Sequence, residues 1–275
     1  MGRKLRRFVG ALKDKASLTK AAFVFPPCSS AADIAVLRAT SHDHPSSPPH
    51  PHHISALLSF GHGARPAACA LSSSLSSRLL STRNPSVALK SLLLLHLLLR
   101  SAPFILLDSL FSSLLPKPSG HHSRSPLLLS SFPLGADPLS WSLSSCVRWY
   151  SRLLELRLLL PEPTPDLSDW VSSLLTRDLI AELDTLVKFL AEASSPPEMR
   201  CGGGRLVAEV EKLVIEDRIA AENGILARLG EVRERIGAVG FADAVELVFV
   251  LRRLEDHRPA PYGWMRIAGA GFGMK

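Results

Sequence analysis

Apolar residues recur at every third or fourth position along most of this chain, the period of a helix that buries one face. Near the start, Leu5, Phe8, Val9 and Leu12 fall at i, i+3, i+4 and i+7. Arg3, Lys4, Arg6, Arg7, Lys13 and Lys15 surround them, which predicts a basic amphipathic helix over 3–24. Its first residues suit a lipid boundary, while packing on the rest of the fold is expected from about Leu12 onward. Ile34, Val36 and Leu37 predict a second helix over 33–39, and further helical patterns cover 54–60, 67–80, 86–100 and 139–159. The last of these carries Trp141, Trp149 and Tyr150. Four cleaner stripes follow: Leu179, Ile180, Leu183, Leu186, Val187 and Leu190; Leu206, Val210, Leu213 and Val214; Ile225, Leu229, Val232 and Ile236; Phe241, Val245, Val248 and Leu251.

Proline separates these patterns. TSHDHPSSPPHPHH at 40–53 reads as loop, residues 116–138 as a long connection, and PEPTPD at 161–166 as a linker. No alternating strand pattern and no short fixed repeat is present. The expectation is an all-α fold, with stacked helices first and a small antiparallel bundle after. The most apolar stretch, 91–99, lies between Lys90 and Arg100 and falls well short of the roughly 20 residues a bilayer span needs. It predicts a buried helix in which His96 is a satisfied core residue.

Composition agrees: 46% hydrophobic but only 6% aromatic residues favour helix over a β-sandwich. Cys28, Cys69, Cys146 and Cys201 have no CxxC spacing, so neither a disulfide framework nor a zinc ribbon is expected. MGRKLRRFVG is too basic for a secretory signal, and Arg6 stands where a myristoylation site wants Ser or Thr. The net charge of +7 is unevenly placed: residues 1–157 carry 18 Lys and Arg against 6 acids, and the remainder 14 against 19. That asymmetry points to a polyanion facing the first half, a nucleic acid or an anionic membrane.

Catalysis finds little support. There is no G-x-S-x-G, acids are scarce where a triad would need one, and the serines come in compositional runs. Six histidines (42, 44, 50, 52, 53 and 62) crowd one region, yet there is no HExxH, no nearby Cys and no fixed geometry for a metal. Nucleic-acid motifs are unreadable, and the histidine-rich loop lacks aromatic stacking platforms.

Leu37-Arg38-Ala39-Thr40-Ser41-His42-Asp43, followed by a Pro-rich loop closing on His53, resembles the KATTH…P…H segment of the ANTH domain of clathrin assembly proteins. KDKASLTKAA at 13–22, ALKSLLLLHLLL at 88–99, SLSSCVRWYSRLLEL at 142–156, TRDLIAELDTLVKFLAEA at 176–193 and FADAVELVFVLRRLED at 241–256 continue the likeness in order. It is nearest to the plant clathrin assembly proteins and covers about residues 5–257.

The resemblance implies an ENTH-like α-solenoid running into a helical bundle, an ANTH domain over 1–258 with a linker near 161–166, and a short tail over 259–275. It implies no catalytic residue, cofactor or metal. Its implied partners are phosphatidylinositol 4,5-bisphosphate membranes, clathrin heavy chain and SNARE proteins, with no nucleic acid. The implied locations are the cytoplasmic face of plasma-membrane clathrin-coated pits, clathrin-coated vesicles and the Golgi apparatus. The alternative is a helix-binding, SNARE-type scaffold without strong lipid binding.

By the family's lipid motif, Arg38 takes the place of the first Lys and His53 that of the closing His. His50 and His52 stand where the family has basic side chains, in a loop about two residues longer. Arg3, Lys4, Arg6 and Arg7 are the expected supporting membrane contacts. Because an unperturbed imidazole is mostly uncharged at neutral pH, lipid binding is expected to strengthen as pH falls. The tail contains no Asn-Pro-Phe or Asp-Pro-Phe peptide, so the chain is expected to be the membrane-binding module nearly alone, from a truncated or alternatively spliced gene.

Overall fold

The computed structural model describes residues 3–22, 27–114, 127, 129–135, 137–160, 166–198 and 204–256, and among these the regular structure is all helix, with no strand. Two compact units divide the chain: Met1–Leu158 with Pro197–Leu213, and Leu159–Pro196 with Val214–Lys275.

In the first unit, α1 (Arg3–Ala22), α2 (Pro27–Ala39), α3 (Pro51–Leu58), α4 (Arg65–Ser81), α5 (Pro85–Ser101), α6 (Phe104–Leu114) and α7 (Pro138–Arg157) stack as a solenoid. α2, α4 and α6 neighbour one another in one row, and α3, α5 and α7 in the other. α5 is the axis, buried continuously from Ser86 to His96. A helix so enclosed must be apolar all round and must satisfy each polar group it carries. Ser91 Oγ donates to Val87 O at 2.8 Å, and His96 Nδ1 lies 2.7 Å from the Tyr150 hydroxyl, so His96 is the satisfied core residue its surroundings predict.

Prolines open helices here as well as breaking them. Pro51, Pro85 and Pro138 each occupy the first turn, where the missing N–H would have had no intrahelical partner. Asn84 and Asp137 cap the helices that follow them. The same rule corrects the loop expected over 40–53: α3 begins at Pro51, so His52 and His53 are helical and His50 is the residue that caps them. Helix α6, and α8 (Leu167–Ser173) in the second unit, are helices that periodicity did not announce.

α1 does pack on α2, but not through the expected apolar stripe. Val9 and Leu12 are exposed, Leu12 by 59%, and the face of α1 that is buried carries Gly10, Asp14 and Ala21. Gly10 is required there, because a Cβ would come within 2.8 Å of the His42 ring.

The second unit contains α8, α9 (Thr176–Ala193), the later part of α10 (Gly204–Arg235) and α11 (Phe241–Asp256). α10 is a single helix of 32 residues where two stripes suggested two. The residues between those stripes include no proline, and Ala, Glu and Arg make up half of them, so the helix runs through despite Asn223 and Gly224. Arg228, 2% exposed, donates to Glu182, and Arg235 donates to the carbonyls of Leu174 and Ser172. Late residues of α10 thus meet early ones at α9, which makes the pair antiparallel. All six stripe residues of α9 are buried. On α11 the expected stripe is the wrong face: Phe241 is 87% exposed and Val245 and Val248 are exposed with it, while Leu247 and Val250 are buried. α11 carries apolar residues on two faces, and periodicity alone cannot rank them.

Candidate functional site

The segment from Thr40 to His50 leaves α2 and is tied down from three sides. From α4, Arg78 donates to Thr40 Oγ1 and O at 3.1 and 3.0 Å and reaches Asp14 at 3.3 Å. From α1, Asp14 accepts the His42 backbone N–H at 2.7 Å and faces its Nδ1 at 2.8 Å. From α5, Lys90 donates to the carbonyls of Ser41 and Asp43 at 2.9 and 2.8 Å. His44 takes a positive φ of 48° and turns the chain toward α3.

This arrangement sets charges deliberately. Lys90 is only 4% exposed, and lysine is seldom buried so deeply without partners. Burial pushes its amine down to about 8 against the pull of Asp43 and Asp14, with Arg78 adding to the fall. Burial would raise the Asp14 carboxyl, but the hydrogen bonds from His42 and the charges of His42 and Arg78 outweigh it and hold Asp14 below its ordinary value.

Between α2, the loop and α3 lies a cleft of about 750 Å³. Of the residues expected at the headgroup site, Arg38, His50 and His53 line it; His52 does not. The rings of His52 and His53 nevertheless lie with their centroids 3.8 Å apart, tilted by 51°, and His50 and His52 bring their Nδ1 atoms to 2.5 Å. His50 Nδ1 also accepts from the His52 backbone N–H at 3.4 Å, which caps α3. Burial lowers the His53 pKa below its ordinary value, and the neighbouring His52, His50 and Arg38 lower it further. The backbones of Arg3, Lys4, Arg6 and Arg7 belong to α1, but their side chains lie outside the described residues.

Two cations in the cleft were not anticipated: Lys90 and Arg205. A lone lysine bordering the apolar run of α5 was the available signal for the first. For Arg205, 152 positions beyond His53 in no motif, the sequence offers none. The cleft therefore joins arginine, imidazole and a buried ammonium around a concave, water-accessible space, with Asp43 and Glu209 as the opposing charges. Such a set suits an anionic ligand with several oxygens.

A family model described as the ANTH domain matches residues 31–162, which contain all of the cleft except Arg205, Ala208 and Glu209. Among similar proteins, "Putative clathrin assembly protein At4g40080" of Arabidopsis thaliana is 38% identical over 265 residues, 90% of this chain and 71% of that one. "Putative clathrin assembly protein At5g10410" of the same plant is 31% identical over 83% of this chain and 68% of its own. The much longer "Putative clathrin assembly protein At5g57200" is 36% identical over 56% of this chain, which covers 24% of it. With the helical stack, the ordered sequence blocks and these identities in agreement, the chain belongs to the ANTH-domain family of clathrin assembly proteins.

Proposed function

We propose that residues 1–258 form a peripheral membrane module of clathrin coat assembly, and that the cleft between α2 and α3 binds the headgroup of phosphatidylinositol 4,5-bisphosphate. The names of the relatives support the first part. One observation carries the second: Arg38, His50 and His53 share a cleft with Lys90 and Arg205. Phosphate groups bind best where charged donors are preorganised, and cations near an anionic lipid surface contribute about 1 kcal/mol each. Exposed Val9 and Leu12 beside Lys13 and Lys15 would add contact at the lipid boundary. Among the described residues no helix is long and apolar enough to cross a membrane.

The reading locates the protein at the cytoplasmic face of clathrin-coated pits and vesicles, and at the Golgi. The test is sedimentation with phosphatidylcholine vesicles that contain or lack the bisphosphate lipid. Binding that depends on the lipid and is lost in Arg38→Glu supports the site; equal sedimentation with both vesicles refutes it.

A second reading, docking of a SNARE-type helix, is favoured by the exposed face of α11, where Phe241, Val245, Val248 and Phe249 recur at helical spacing. Clathrin heavy chain is the third expected partner, and pull-down from coated-vesicle extract is its test.

A further inference from the structure

α10 begins with two features that seat it against the α2–α3 loop. The Leu206 backbone N–H donates to Ser46 O at 2.8 Å. Gly204 takes φ +65°, and a Cβ there would lie 2.8 Å from Ser46 Cβ. The first turn of the helix is thus fixed to the loop by backbone contacts that leave Arg205, between these two residues, an exposed side chain on the cleft.

The charges that face it come from each surrounding element. Arg38 stands on α2, Asp43 and His44 on the loop, His50 and His53 at α3, Lys90 on α5, and Glu209 one turn on from Arg205 itself. Among the described residues neither arginine has an acidic ion-pair partner; Glu209 instead lies 3.9 Å from Lys212. Lys90 gives two of its three donors to loop carbonyls. His50 accepts through Nδ1, and burial disfavours the charged form of His53. Arg38 and Arg205 are therefore the two guanidinium groups of the cleft whose donors no acid among the described residues takes up.

We propose that Arg205 is a second phosphate contact of this cleft, facing Arg38 from a different wall, and that the pair selects a headgroup carrying at least two phosphates. The proposal rests on the headgroup reading above and extends it. Each guanidinium can take one phosphate in a forked, two-bond contact. A bisphosphate engages both arginines, whereas a monophosphate engages one and leaves the other unused. The histidines that replace basic residues in this loop are thereby compensated by an arginine delivered from a distant part of the chain.

The full-length protein, Arg38→Ala, Arg205→Ala and Arg205→Lys should be compared on vesicles carrying phosphatidylinositol 4,5-bisphosphate, on vesicles carrying phosphatidylinositol 4-phosphate, and with soluble inositol hexakisphosphate. Arg205→Ala should weaken bisphosphate binding about fivefold, the effect of one cation close to the headgroup. The same loss is expected with the soluble ligand, at about pH 5.5 and at about pH 8 alike. Arg205→Lys should recover only part of the affinity, because an ammonium keeps the charge but not the fork, and the Ala variant should discriminate less between the two lipids at an unchanged melting temperature.

If Arg205→Ala matches the parent while Arg38→Ala is weakened, Arg205 is excluded and the headgroup site stands. If the parent binds none of the three ligands, both readings fall. A loss confined to vesicles would assign Arg205 to general surface attraction and overturn its role as a phosphate contact.

Discussion

Replacing Lys90 by Met keeps the length of the side chain and removes its charge. Two opposing effects follow near neutral pH. The carbonyls of Ser41 and Asp43 lose their donor, at about 1.5–3 kcal/mol for each bond to a charged group. The folded state is also relieved of a buried ammonium. The drop of the amine from its ordinary 10.5 to about 8 corresponds to about 3 kcal/mol at 1.36 kcal/mol per pH unit. The lost bonds, about 3–6 kcal/mol together, equal or exceed the relief, so the net change at neutral pH is a loss of up to about 3 kcal/mol and the pH dependence is the diagnostic quantity.

Between about pH 8 and 10.5 the unfolded chain holds the Lys90 proton and the folded chain does not. Stability rises with pH wherever the unfolded state binds more protons. The parent should therefore gain about 3 kcal/mol relative to Lys90→Met across that window, and nothing relative to it below about pH 7. Urea unfolding of both proteins, followed by helical circular dichroism from about pH 7 to about pH 10.5, measures the difference while other titrations cancel. A constant difference across the range would refute the burial of a charged Lys90. Headgroup affinity gives a second readout: with the loop released, binding to bisphosphate vesicles at about pH 7 should fall by roughly tenfold or more.

Asp14→Asn removes the acid that His42 and Arg78 share and should cost about 3 kcal/mol, the scale for breaking a buried charge network. Because Asp14 titrates below its ordinary 3.8 in the folded state, its stabilisation is complete above that value and is lost as pH falls through the folded one. An acid-unfolding midpoint identical to the parent's would refute the network. Gly204→Ala forces a Cβ into a left-handed position and against Ser46, for about 1–2 kcal/mol of stability and a weaker cleft, read by thermal melting and vesicle sedimentation. Unchanged values in both would show that α10 does not depend on this turn. His50→Lys with His52→Lys should bind bisphosphate vesicles more tightly than the parent at about pH 7.5. The parent's affinity should rise as pH falls, because a bound phosphate raises the His53 pKa from its depressed free value. Binding is then strongest below the free value and fades as pH climbs through the bound one. A flat parent profile together with a double variant no tighter than the parent would remove α3 from the site.

Local pattern carried much of this protein. The α9 stripe and the enclosed helix that carries His96 depend on residues a few positions apart, and short-range periodicity reports such features faithfully. That Arg38 and His53 come close together along one cleft was legible for the same reason, since they bracket one continuous motif. His52 was placed at the site by its spacing but lies off the cleft lining, because Pro51 starts a helix and a helical turn swings successive residues apart.

The tertiary structure decided the rest. α11 has two apolar faces, and only contact with α9 selects Leu247 and Val250 over Phe241 and Val248. Lys90 reads as the polar border of an apolar run until α5 is enclosed, when desolvation and two loop carbonyls turn it into a clamp. Arg205 belongs to no motif, and its place on the cleft depends on a left-handed glycine and one backbone bond to Ser46. Electrostatics at a binding site acts through space and burial, whereas sequence pattern records neighbours along the chain, so the cations supplied from afar became visible only once the chain was folded.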